Sequence, residues 1–96
     1  MPAYIIIRVA VDDPTVLKAY QAATPAIIEK YQGKFVVRGG ASVTLEGPQE
    51  SRRIVVLEFP ELTDAEAFYN SPEYAEAHKL REGLATFELV AVQGVQ

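Results

Sequence analysis

The sequence predicts an α+β domain in which strands and helical regions follow one another as β-α-β-β-α-β. Three observations carry that reading. Ala3–Val11 and Arg53–Phe59 are apolar almost throughout and rich in Ile and Val, as strands covered on both faces are. Asp13-Pro14 and Ser71-Pro72 each pair an N-cap residue with a proline suited to the first helical position. The 96 residues are 49% hydrophobic, enough for one packed core and a single domain over 1–96.

The elements follow in order. After the first strand, Val16, Leu17, Tyr20, Ala23, Ile27, Ile28 and Tyr31 recur at three- and four-residue spacing and form one apolar helical stripe. Pro25 lies inside it and predicts a kink, or a second short helix capped by Thr24. Gly33 is placed to end the helix in a left-handed conformation. Lys34–Arg38 is the second strand, interrupted at Gly39-Gly40. Ala41, Val43 and Leu45 then alternate with polar residues, which predicts a half-exposed continuation of that strand up to a turn at Glu46-Gly47-Pro48-Gln49. Beyond the third strand, Thr63 to Glu66 reads as a capping box opening a helix to about Asn70. The helix from Ser71-Pro72 should run to about Glu82, with Gly83 as its stop. Phe87–Val95 is the last strand. This is the ferredoxin-like order, and right-handed crossovers place its four antiparallel strands as 4-1-3-2. The two most apolar strands, the first and third, then fall in the centre.

Composition narrows the function classes. Nine Lys and Arg against thirteen Asp and Glu give a net charge of −4, which argues against nucleic-acid binding. No Cys and one His leave too few soft ligands for a usual zinc or haem site, although a carboxylate site stays open, and the expectation is a protein with no metal and no cofactor. Gly39-Gly40 is no phosphate loop, because no Lys-Ser/Thr follows and no helix opens there. The start, Met1 to Arg8, is apolar but short, without a basic leader or cleavage site, so no signal peptide is expected. No run approaches the roughly 18 apolar residues of a membrane span. A soluble, cytoplasmic protein is the expectation.

A partner is expected as well. In this topology both helical regions pack on one face of the sheet. Yet Ile5, Ile7 and Val9 alternate with Tyr4, Ile6 and Ala10, and Val55 and Leu57 with Ile54 and Val56, so both faces are apolar. Covering the open face would contribute on the order of 10 kcal/mol before association costs. A second copy is the economical cover, so a homodimer through facing sheets is predicted over a monomer with a mixed surface.

The stretches from Val37 to Gly40, Leu45 to Gly47, Arg53 to Pro60 and Ala67 to Tyr74, with Arg81 after them, resemble the family called domain of unknown function 1330. The resemblance spans nearly the whole chain. It implies the dimeric α/β-barrel superfamily, a ferredoxin-like fold whose sheets pair across a dimer. That superfamily includes cofactor-independent monooxygenases, lactone isomerases and haem-degrading enzymes, whereas the resembled family has no established activity.

Two constellations could carry chemistry. Counting outward from the turn at Pro48 puts Arg38 opposite Glu58, so Arg38 could hold an anionic group while Glu58 serves as acid or base. The alternative is a structural salt bridge. Tyr74, His78 and Arg81 share one side of the last helix, bordering a core stripe of Ala77, Leu80 and Leu84. Histidine is the side chain that ordinarily titrates near neutrality, which makes His78 the proton-transfer candidate. A solvated His78, and an Arg81 that merely complements the helix dipole, are the plainer readings. Tyr20, Tyr31 and Tyr69 could line a pocket or simply pack. Arg8 must pair or reach the dimer seam. The readings are a cofactor-free enzyme acting on a small organic anion between sheet and helices, a non-catalytic ligand-binding dimer, and a structural interaction module.

Overall fold

A computed structural model describes residues 1–95. The elements are β1 (Ala3–Ala10), a 3-10 turn (Pro14–Leu17), α1 (Lys18–Lys30), β2 (Lys34–Arg38), β3 (Arg53–Phe59), α2 (Leu62–Tyr69), α3 (Pro72–Lys79) and β4 (Thr86–Gln93). The antiparallel sheet has the order β2-β3-β1-β4, which is the predicted order read from the other edge. β1 and β3 lie in the centre, where both ladder edges are paired, and their apolar runs fit that place. No helix among the described residues is long and apolar enough to cross a membrane.

The slab is 17 Å through its thinnest dimension, about one sheet and one helical layer. Ala3, Ile5, Ile7 and Val9 of β1 and Val55, Leu57 and Phe59 of β3 are buried on the helical side. They meet Leu17, Tyr20 and Ile28 from the first helical region and Ala65, Phe68, Tyr74 and Ala77 from the second. Phe68 links Phe59 and Tyr74, with ring centroids 5.4 and 5.0 Å away.

Asp13 caps the 3-10 turn by accepting the Thr15 N–H, and Ser71 caps α3 by accepting that of Tyr74 at 3.0 Å. Both follow the sequence signal. Several boundaries do not. α1 runs unbroken through Pro25, so of the two expectations, a kink or a second short helix, the second helix is absent. The left-handed residue after α1 is Gln32 (φ 68°), not Gly33. Gly33 is needed for packing instead, since a Cβ there would lie 2.5 Å from Cε1 of Phe59. α2 starts after Glu61 without a side-chain cap, so the expected capping box is not formed. α3 ends at Lys79, and single turns carry the chain through Leu80 and Arg81 to Gly83 (φ 76°).

Residues 39–52 contain no strand. Gly39 (φ 69°) turns the chain out of the sheet, and the expected continuation through Leu45 is an irregular loop that exposes Val43 and Leu45. The irregular loop is not centred on Pro48, so Arg38 faces Val55 and Glu58 faces Lys34, and a bulge between Phe35 and Val37 shifts the register by a single residue. The symmetric count from Pro48 therefore fails, and the expected Arg38–Glu58 pair does not form. Glu58 lies on the face away from the helices, with Lys34 Nζ 3.6 Å from its carboxylate.

That second face carries an apolar band that crosses all four strands. Val37, Val56, Ile6 and Val90 stand side by side on the four strands, flanked by Ile54 and Val92. No helix covers them, and Val37, Val90 and Val92 are exposed. At one end of this face, Glu50 accepts from Nε of Arg8 (3.1 Å) and Nε of Arg52 (2.8 Å). Arg52 Nη1 also donates to Glu88 at 2.8 Å. Arg8 is thus paired within its own chain.

Candidate functional site

The helical side of the sheet holds two cavities. A chamber of about 60 Å³ lies between α1 and the sheet, walled by apolar residues such as Ile7, Val9, Ile28, Val55 and Leu57. Tyr20 and Tyr74 line it as well, and Arg38 and Arg53 are its charged lining residues. A wider cleft of about 410 Å³ lies between the second helical region and β4. Its walls are Ile5, Ala65, Phe87, Leu89 and Ala91, and its polar groups are Glu66, Tyr69, Asn70, His78 and Arg81. A volume of this order suits a small organic ligand.

A hydrogen-bonded chain joins the two. Tyr20 and Tyr74 share a hydrogen bond of 2.7 Å, and Nη2 of Arg81 donates to the Tyr74 oxygen at 3.2 Å. Burial, with Tyr74 beside it, pushes the Tyr20 phenol well above its usual range, so it stays protonated. The Arg81 guanidinium lies 3.8 Å from the centroid of the Phe87 ring and 5.5 Å from that of Tyr20. Stacking on aromatic faces is one way to hold a cation out of water.

Arg81 is nevertheless under-satisfied. It is 7% exposed, and among the described residues no carboxylate pairs with it and its Nε has no hydrogen-bond partner. A buried guanidinium ordinarily has an acid beside it, because losing hydration without a counter-charge is costly. Its placement departs from the expected helix face. Tyr74, Ala77 and Arg81 form the buried stripe, whereas Leu80 and Leu84, expected in the core, are 40% and 47% exposed. His78 lies one turn after Tyr74, half-buried in the cleft wall, with Nδ1 3.9 Å from Glu82.

The residues singled out from the sequence divide among four places. Arg38, Tyr20 and Tyr74 line the chamber, and Tyr69, His78 and Arg81 line the cleft. Glu58 lies on the opposite face and lines neither. Tyr31 is outside both, where its hydroxyl donates to Glu73 at 2.9 Å. Glu66, Asn70 and Arg53 were not among the sequence candidates. The first two have a readable signal, since Glu66 stands three and four residues before Tyr69 and Asn70 and so shares their side of α2. For Arg53 the signal lies in the register, which pairs it with the inward-facing Val9.

All five arginines follow one rule. Arg8 and Arg52 have carboxylate partners and sit at the open face of the sheet. Arg38, Arg53 and Arg81 have none among the described residues, and each lines a cavity on the helical side.

The sheet order, the two helical regions on one face and the apolar open face define a ferredoxin-like α+β domain. The family follows from the sequence. The chain belongs to the family described as domain of unknown function (DUF1330), whose model matches residues 2–95. No curated protein matches it. Among solved structures it resembles a protein of unknown function from Rhodopseudomonas palustris, with 21% identity over 99% of this chain and 83% of that one, at a TM-score of 0.74. SnoaB, a cofactor-independent oxygenase from Streptomyces nogalater, is 16% identical over 99% and 94% of the two chains, with a TM-score of 0.69. A dimeric ferredoxin-like protein of unknown function from Bacteroides fragilis is 18% identical over 97% and 96%, with a TM-score of 0.64. At these identities the likeness is one of fold.

Proposed function

We propose that this chain is a homodimeric domain that takes a small organic anion into the cleft between α2–α3 and β4 and acts on it without a cofactor. The observation that carries the reading is Arg81, a buried guanidinium with an unpartnered Nε in the wall of a ligand-sized cleft. A carboxylate there would supply the missing counter-charge and acceptor. Tyr69 and Asn70 offer further hydrogen bonds, and His78 on the same wall is the proton carrier. SnoaB, of similar fold, is a cofactor-independent oxygenase, which supports chemistry of this kind on this scaffold. The dimer forms through the open apolar face, centred on Ile6 and Val56. The dimeric state of the Bacteroides fragilis neighbour supports that assembly.

The test is calorimetric titration with a panel of small carboxylic acids, coupled to product analysis. Arg81→Met should weaken binding at least about tenfold, since a charge-assisted hydrogen bond is worth about 1.5–3 kcal/mol. Arg81→Lys should retain part of the affinity. His78→Ala should leave binding in place and remove turnover. Equal affinity in Arg81→Met would overturn the anion site. Turnover that survives His78→Ala would remove that residue from the chemistry. Binding without turnover in the unaltered protein would leave a ligand-binding dimer rather than an enzyme.

A further inference from the structure

The chamber under α1 is a separate matter from the cleft, and its chemistry differs. Its walls are mostly hydrocarbon, with Gln21 and Thr24 of α1 among them, and its charged members are two arginines with no acid among the lining residues. Arg38 lies across the Phe35 ring, with its guanidinium carbon 4.2 Å from the centroid. Arg53 is held beside it, where Nη2 donates to the Arg38 carbonyl at 3.4 Å. The backbone makes room for that arrangement. A Cβ on Gly39 would fall 2.1 Å from Nε of Arg53, so the side chain occupies space that only glycine leaves free. Arg38 is exposed and Arg53 half-buried, whereas Val9, Leu17, Val55 and Leu57 of the same cavity are buried, so the cationic pair sits at the solvent side of an apolar interior. The polar tips of Tyr20 and Tyr74 are engaged with each other and with Arg81, which leaves their rings as apolar wall.

We infer that this chamber is a second ligand site, which takes a short hydrocarbon tail bearing a carboxylate, the tail inside and the carboxylate between Arg38 and Arg53. One water needs about 10–15 Å³ of such space, so there is room for about four to six groups of that size. The tail is therefore a short chain or a single ring. The two guanidinium groups match a carboxylate, and like charge repels an amine of the same length.

Linear carboxylic acids from butanoate to decanoate, titrated into the intact protein and followed by calorimetry and methyl NMR, test this. Each methylene up to about hexanoate or octanoate should tighten binding about fourfold, the equivalent of about 0.8 kcal/mol per buried methylene, and the gain should then stop. Methyl shifts should appear at Val9, Leu17, Val55 and Leu57, which line the chamber alone. The double variant Arg38→Gln/Arg53→Gln, which alters no buried residue, should lose at least about tenfold, and hexylamine should not bind. Affinity independent of chain length, or unchanged in the double variant, would overturn the site. Shifts confined to Ile5, Ala65 and Ala91 would place the acids in the cleft, ending this inference while leaving the proposed function standing. The converse pattern, chamber shifts with no response to Arg81→Met, would sustain the chamber and count against the cleft.

Discussion

The two faces of the sheet handle charge and grease in opposite ways. On the open face, apolar side chains remain uncovered while the arginines at its end are matched to Glu50 and Glu88. On the helical face the apolar side chains are buried, while the arginines are left without acids. A surface whose charges are already satisfied but whose hydrocarbon is wet gains most from a flat apolar cover. An interior whose hydrocarbon is dry but whose cations are unmatched gains most from a small anion. The proposed dimer and the proposed ligand sites thus fall on opposite sides of the same four strands.

The largest effect should come from breaking the open face. Ile6→Asp puts a carboxylate in the centre of the proposed interface, where an unpaired charge costs several kcal/mol. Sedimentation should then give a particle of 10.6 kDa where the unaltered chain gives twice that mass. A dimer that survives Ile6→Asp would locate the interface elsewhere. Next in size is Leu57→Ala on β3, one residue beyond Val56, the cross-strand partner of Ile6, but 1% exposed on the helical side. It should lower the unfolding free energy by about 2–5 kcal/mol in urea titration. Val56→Ala beside it should act on dimer dissociation more than on the unfolding of each chain. If both act alike, the faces are not distinct in the way described.

Gly33→Ala should cost about 1–3 kcal/mol, because the added methyl meets Phe59 and Ile28 at 2.5–2.9 Å. Gly40→Ala, with nothing within 4 Å of its Cβ, should stay within about 0.5 kcal/mol. The smallest effect belongs to the ion pairs of the open face. Hydrogen bonds from Arg52 hold the Glu50 carboxyl down at about 2, against an ordinary value of 4.5. A carboxyl with a depressed folded value stabilises above its unfolded value and loses that contribution as pH falls toward its folded one. The thermal midpoint should therefore drop between pH 5 and about pH 2, and Glu50→Gln should flatten that part of the profile. An unchanged slope in the variant would mean that the Arg8–Glu50–Arg52 cluster carries no acid sensitivity.

Much of this was legible in the sequence, and what was not has identifiable causes. β1 and β3 declared themselves because central strands with one face in the core and the other on an apolar open face carry uninterrupted apolar residues, and Ser71-Pro72 marked α3 because cap geometry is local. The pairing of Arg38 was not legible, because the loop between β2 and β3 is irregular and not centred on the turn at Pro48, so a symmetric count misses the register. The alternation through Val43 and Leu45 misled, since a strand needs a neighbour to pair with and the chain has already turned away at Gly39. The face of α3 was misjudged for a different reason. Hydropathy places Leu80 and Leu84 in the core, yet Tyr74 and Arg81 bury more completely because their polar atoms meet each other and their planar groups stack. The division of the candidate residues into a chamber and a cleft rests on side-chain packing, which spacing alone does not encode.

The pair Tyr20–Tyr74 and its arginine form a shared partition between neighbouring rooms. Whatever is done to Tyr74 is done to both, because one phenol is a wall on the first side and an anchor for the guanidinium on the second. Redesign of either recess for a new guest must therefore begin from Arg38 and Arg53 or from Asn70 and His78, which furnish one room without touching the other.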